Sequence, residues 1–383
     1  MKKILLFLTA SAVFVSCKHL ADNEYEITGS IDESMNGKDI VLEKQGGYMG
    51  FVPVDTAKVE NGKFVFKGTA AEPSIHFISV DGQPMNKGNF ILEEGEIKLT
   101  VKDKDTLFKM EQSGTYNNDK LHEYYGLLEG INKKMMEYKK VNTEQMKIAQ
   151  TTNDTVLINK LQKGYKVITD EAKKINTDFI KENPKAYISV LMLKQMVATS
   201  SLPEEELKEM YEKLDAEVKK TKEGKEIAEL FENQKKEKEN KANVEVGKAA
   251  PGFSAPNPEG KNVSLKDAMG KVTIIDFWAS WCKPCRMENP NVVALYNEFH
   301  PKGLNIIGVS LDREADKWKE AIAADKLAWS HVSNLKFWED PIAKQYGVQS
   351  IPATFILDAS GKIVAKDLRG EELRAKVQEL LAK

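Results

Sequence analysis

Two cysteines stand at Cys282 and Cys285, inside Phe277-Trp278-Ala279-Ser280-Trp281-Cys282-Lys283-Pro284-Cys285. Thiols at this spacing can form and break a disulfide, and the attacking species is the thiolate. Ahead of them the apolar run Val272 to Phe277 reads as a buried strand, and behind them Arg286 to Phe299 reads as a helix. That order sets Cys282 at a helix N-terminus, where free backbone N–H groups and the positive end of the helix dipole favour a thiolate. Cys282 is the expected nucleophile and Cys285 the thiol that resolves the mixed disulfide. The alternative, an inert structural bridge, is weak because so short a loop gains little from closure. Pro284 suits the first helical turn, where the N–H it lacks is not needed. Lys283 either places a positive charge beside the thiolate or is a solvated surface lysine. Asp276 lies six residues before Cys282, on the strand beneath the site.

The remaining cysteine, Cys17, is far from this pair, so a disulfide framework is not expected. A C-x-x-C pair can also be half of a zinc site, but there is no second cysteine pair to complete one, and no metal or other cofactor is expected. The chain has 383 residues, 30% charged and 41% hydrophobic, with a formal net charge of -2. Such a length predicts two or three domains, and the absence of a basic excess argues against nucleic acid. No apolar run reaches the roughly 20 residues of a membrane-spanning helix.

Lys2 and Lys3 followed by the apolar stretch Ile4 to Val15 read as an export signal. Phe14-Val15-Ser16-Cys17 resembles a bacterial lipobox, with Phe14 where leucine is usual. The resemblance implies a signal peptide at 1–16, acylation of Cys17 and a short tether over 17–23, anchoring the protein to a lipid bilayer. Ordinary cleavage after Ala12 is the alternative. It would leave an apolar end and a lone exposed thiol.

Residues 24–112 carry alternating, β-branched stretches such as Tyr25 to Ile31, Lys63 to Lys67 and Glu96 to Val101, with a hairpin signal at Asn61-Gly62. A small antiparallel sandwich or barrel is expected, and His76 is expected to be packed or on the surface rather than a metal ligand. Asp55-Thr56-Ala57 leading to Asn61-Gly62-Lys63-Phe64 resembles an uncharacterised domain at the N-terminus of thioredoxin-type lipoproteins of Bacteroides-like bacteria. Residues 113–243 show helical stripes (Leu121, Tyr124, Leu128, Ile131, Met135, then Ile158 to Phe179), ended by Asn183-Pro184. Ala186 to Ala198 reads as a buried helix. Another helix through Leu207, Met210, Leu214 and Val218 is expected to break at Gly224, and the Lys/Glu-rich stretch Lys235 to Lys241 to be a solvated helix face and linker.

Residues 244–383 alternate strand and helix and close with a hairpin and helix. This is an α/β order, distinct from the β-rich and helical regions before it. The cysteine stretch together with Ser350-Ile351-Pro352-Ala353-Thr354-Phe355 resembles the two signatures of the thioredoxin superfamily, in particular the TlpA/ResA-like group of membrane-tethered extracytoplasmic thioredoxins. The resemblance implies that Pro352 is a cis-proline facing the disulfide and that Ile351 pairs with an extended substrate beside Trp281, Lys283 and Pro284. It makes Asp276 the buried acid that relays the proton of the second cysteine, and matches Glu288 to an acid of ResA-like proteins. Carrying both acids is a mixed pattern. An insert between Asp312 and Trp338 holds Trp318, Trp329, Phe337 and Trp338, which are expected mainly in the core.

The function implied is a periplasm-facing, lipid-anchored thiol-disulfide oxidoreductase that reduces cysteine-containing exported proteins, apocytochromes among them, and is recharged by a membrane or periplasmic electron donor. Lys283-Pro284 leaves an oxidase or isomerase open. A peroxidase of the peroxiredoxin type wants proline and threonine or serine where Ile275 and Ala279 stand, seven and three residues before Cys282. A scaffolding lipoprotein acting through its first two domains is the alternative of another class.

Overall fold

The computed structural model describes residues 20–46 and 50–382. The export signal, the lipobox and Cys17 lie outside the described residues. The chain divides into two compact units, one up to Leu230 and one from Phe231 onward.

The first unit opens with eight strands: β1 (Glu24–Ser30), β2 (Asp39–Gly46), β3 (Gly50–Lys58), β4 (Lys63–Thr69), β5 (Ser74–Val80), β6 (Lys87–Leu92), β7 (Gly95–Thr100) and β8 (Glu111–Ser113). They form two four-stranded sheets, ordered β4-β1-β7-β8 and β3-β2-β5-β6. Alternate residues of both sheets, including Ile27, Ile40, Phe64, Phe66, Ile78 and Phe90, meet in one core. His76 is packed, one of the two placements expected of it.

Two details differ from the antiparallel hairpin reading. β1 and β7 pair in parallel, which a long connection through the other sheet permits. Asn61-Gly62 does form a tight turn with both φ angles positive, closed by a Glu60–Lys63 bridge. Its flanking strands, however, join different sheets. The Gly62 carbonyl accepts from Ile31 N–H at 2.9 Å, and its N–H donates to Asn36 Oδ1 at 2.9 Å. Those bonds draw β4 to β1 and leave β3 with β2.

Six helices follow: α1 (Tyr116–Thr151), α2 (Thr155–Glu182), α3 (Tyr187–Ala198), α4 (Glu204–Lys213), α5 (Ala216–Lys220) and α6 (Lys222–Asn243). α1 is fixed to the sandwich by Asn118, whose amide exchanges hydrogen bonds with both backbone groups of Ile91 on the edge strand β6, at 3.0 and 2.7 Å. α3 is buried on most sides, as its nearly all-round apolar sequence predicts.

Gly224 does not break a helix. It lies in the first turn of α6, and the break falls earlier, at Leu214 and again at Thr221. Asp215 caps α5 through Glu217 N–H, and Thr221 Oγ1 accepts from Gly224 N–H at 3.2 Å. Glycine is needed there because a Cβ would sit 2.4 Å from the Val218 carbonyl oxygen. From Phe231 onward α6 belongs to the second unit, and its Lys/Glu-rich end is exposed to solvent as expected, with two bonds inside that unit. Lys241 donates to Gln349 Oε1 at 2.7 Å and Asn240 to the Lys344 carbonyl at 3.0 Å.

The second unit has a thioredoxin-like α/β fold. Its elements are the hairpin β9 (Ser254–Pro256) and β10 (Asn262–Ser264), then β11 (Val272–Trp278), α7 (Lys283–Phe299), β12 (Leu304–Ser310), α8 (Ala315–Ala324), β13 (Ser330–Val332), α9 (Pro341–Gln345), β14 (Ala353–Asp358), β15 (Ile363–Lys366) and α10 (Gly370–Leu381). The sheet order is β13-β12-β11-β14-β15, with β11, β12 and β13 parallel and the last two strands antiparallel. β11 is central and buried along its whole length, which is why its sequence is a continuous apolar run broken only by Thr273 and Asp276.

Candidate active site

The site forms where β11 ends and α7 begins. Cys282 is the N-cap of α7, with Lys283 and Pro284 as the first two helical residues. Cys282 and Cys285 are joined by a disulfide with Cα atoms 5.3 Å apart. Both are buried, and the Cys285 N–H points to Cys282 Sγ at 3.2 Å. A negative charge on Cys282 would therefore meet a backbone donor and the helix N-terminus. Lys283 and Pro284 are exposed. Pro290 stands further along inside α7, leaving the Arg286 carbonyl without its usual i+4 donor.

The turn before Cys282 is held from two sides. Ser280 donates its N–H and hydroxyl to buried Asp312, at 3.0 and 2.5 Å. Its carbonyl accepts from Arg286 at 3.2 Å, and Arg286 is in turn paired with Asp325, which also accepts from Asn289. Asp312, Arg286 and Asp325 were not singled out from sequence. Their nearest signal is position: Arg286 follows the second cysteine, and Asp312 closely follows β12.

Asp276 is buried on β11, opposite Thr354 on β14. Its carboxyl is pushed up to about 7, first by burial, then by the negative charge of Glu288, with Arg369 pulling the other way. Among the described residues no group donates a hydrogen bond to its carboxylate. A cavity of about 20 Å³, roughly one water molecule in size, is lined by Asp276, Cys285, Glu288, Pro352, Thr354 and Arg369 among others. Asp276, Glu288 and Pro352 thus meet beside the second cysteine. Glu288 accepts from Gly370 N–H at 2.9 Å and from Asn291 at 3.0 Å. The Ile351–Pro352 peptide bond is cis.

Trp281 is 46% exposed, the most open aromatic ring at the site. Phe337 and Trp338 pack against it, with centroids 5.0 and 6.2 Å away, and the Arg313 guanidinium lies 4.3 Å over the Phe337 ring. The four insert aromatics therefore divide. Trp318 and Trp329 are core, whereas Phe337 and Trp338 are half-buried around Trp281. Phe337 has a φ of 55°, a conformation uncommon for a bulky residue. Buried Asp340 anchors this segment, accepting from Ile342 and Ala343 N–H at 2.8 and 3.1 Å and from the Asn334 side chain at 2.9 Å.

Residues 246–366 match a family model described as the AhpC/TSA family, and residues 25–121 match a domain of unknown function, DUF4369. The thiol-disulfide oxidoreductase ResA of Bacillus thuringiensis subsp. konkukian (strain 97-27) is 36% identical over 140 residues, which are 37% of this chain and 79% of that protein. The chain belongs to the thioredoxin-family thiol-disulfide oxidoreductases. Its oxidoreductase domain is fused to an N-terminal domain of unknown function. The thioredoxin-like protein YneN of Bacillus subtilis (strain 168) is 35% identical over 120 residues, covering 31% of this oxidoreductase and 69% of YneN. The thioredoxin domain of a thiol-disulfide oxidoreductase from Bacteroides vulgatus, solved by crystallography, is 38% identical. It covers 36% of this chain and 99% of that one, with a TM-score of 0.34.

The oxidoreductase carries its redox centre in its own side chains, the Cys282–Cys285 pair. Among the described residues no group of three or more His, Cys, Asp or Glu is placed to hold a metal ion, and no helix is long and apolar enough to cross a membrane.

Proposed function

We propose that this oxidoreductase reduces disulfides in cysteine-containing exported proteins, with apocytochromes as one substrate class, from a lipid anchor on Cys17 facing the periplasm. The observation that carries the reading is Cys282 at the N-terminus of α7 with the buried acid Asp276 beside the partner thiol. In the reduced protein the Cys282 thiolate attacks one sulfur of a substrate disulfide. A Cys282–substrate bond forms and the substrate's other sulfur leaves as a thiolate that takes up a proton. Cys285 then gives its proton to Asp276 and attacks Cys282 Sγ. That step forms the Cys282–Cys285 disulfide and frees the second substrate thiol. Two electrons pass to the substrate, so a dithiol donor at the membrane or in the periplasm must restore the pair.

In this reading Trp281, Ile351, Lys283 and Pro284 contact the substrate, Pro352 faces the disulfide, and Glu288 tunes the charge around Asp276. Peroxidase chemistry is disfavoured because Ile275, inside β11, stands where that site needs proline, and Ala279 offers no hydroxyl where it needs threonine or serine. Equilibration with a dithiol buffer tests the direction. A reduction potential below about −220 mV supports a reductase, and one above about −180 mV makes the protein an oxidase or isomerase.

A further inference from the structure

The stretch Asp367-Leu368-Arg369-Gly370, which leads from β15 into α10, binds three separate parts of the site. Asp367 N–H donates to the Thr354 carbonyl at 2.8 Å, and Thr354 N–H returns a bond to Asp367 Oδ1 at 3.2 Å. Gly370 N–H donates to Glu288 on α7. Between them Arg369 donates from Nη2 to the Pro352 carbonyl at 2.8 Å and lines the cavity shared by Asp276 and Cys285. One short strap therefore ties the proline loop, the cysteine helix and the strand opposite Asp276.

The geometry points to Arg369 as a positioning residue for thiol exchange: it holds the Pro352 carbonyl, and its fixed positive charge offsets Glu288 at the cavity so that Asp276 can lose and regain a proton during resolution by Cys285. The charged groups facing Asp276 are Glu288 from α7 and Arg369 from the strap. Thr354 opposite it on β14 and Gly308 on β12 are uncharged. Arginine suits the task because it stays charged at all working pH values and has five donors, of which the Pro352 carbonyl uses one. The inference rests on the reductase reading, since it concerns the step in which Cys285 releases substrate.

The test uses full-length protein, reduced and mixed with an aromatic disulfide, dithiobis(nitrobenzoate). Attack by Cys282 releases one coloured thiol, and resolution by Cys285 releases the second. The rate of the second release is followed against pH for wild type, Arg369→Lys and Arg369→Gln. Removing the positive charge makes Asp276 a harder acid to ionise, so Arg369→Gln should move the midpoint of the profile upward by about half a pH unit or more. Arg369→Lys keeps the charge and should stay near wild type. A Gln profile that superimposes on wild type overturns the inference, as does a Lys variant shifted as far as Gln. Thermal unfolding of all three shows whether the fold is kept. Absence of any second release in wild type would instead sink the exchange reading itself.

Discussion

Each unit of the chain buries a carboxylate in a sheet, and the two are treated in opposite ways. In the β-rich region Glu43 is buried but paired: its Oε2 meets Lys87, whose side chain is only 8% exposed, and accepts from Ser79 Oγ at 2.8 Å. In the redox unit Asp276 is equally buried, yet no group among the described residues donates to it, and the negative charge of Glu288 repels it. A buried charge that is paired belongs to the architecture, because removing one partner strands the other. A buried acid left without a partner titrates in the working range of a base, which is the mark of a chemical role.

The contrast can be broken in several places. Glu43→Ala leaves Lys87 buried and unpaired, and should cost the β-rich region about 3–5 kcal/mol in urea unfolding, with thiol exchange unchanged. Asp276→Asn should do the reverse and stabilise. The folded pKa is raised to about 7, above the ordinary carboxylate range, so the native state holds an extra proton over that interval and stability falls as pH rises through it. Relative to wild type, the Asn variant should therefore gain on the order of 2–4 kcal/mol at pH 8 and almost nothing at pH 3, while resolution by Cys285 slows. A loss of stability at pH 8 would show that Asp276 is structural after all.

Away from both acids, Gly224→Ala should cost about 1–3 kcal/mol through the clash with the Val218 carbonyl, measured by thermal unfolding. The smallest effect is expected at Trp281→Ala. Loss of that exposed ring should weaken substrate encounter by roughly 1 kcal/mol or less, seen as a higher KM with kcat nearly unchanged.

How much of this was legible in the sequence follows from range. The cysteine helix, the central strand and the strand–helix–strand, hairpin and helix succession of the redox unit were readable because they rest on local signals: a continuous apolar run, a C-x-x-C pair and a proline in the first turn. Asp276 was legible only by its place six residues before Cys282. Arg369 was not, since its partners Pro352 and the Asp276 cavity are brought to it by the β14–β15 hairpin rather than by spacing. The same limit explains the Asn61-Gly62 turn. Its two residues announce a reversal, but the bonds with Ile31 and Asn36 that send its strands to different sheets come from far earlier in the chain, 26 residues away in the case of Asn36. Gly224 misled for the opposite reason. A glycine suggests a break, whereas here it permits the close approach of the preceding turn.

The central claim is that Cys282 attacks and Cys285 resolves. Cys285→Ala tests it most directly, by comparing disulfide-linked complexes formed with a disulfide-bearing substrate protein against those of Cys282→Ala. The account predicts that Cys285→Ala accumulates mixed disulfides through Cys282, and that Cys282→Ala forms none. Trapping by Cys282→Ala, or none by Cys285→Ala, would contradict it.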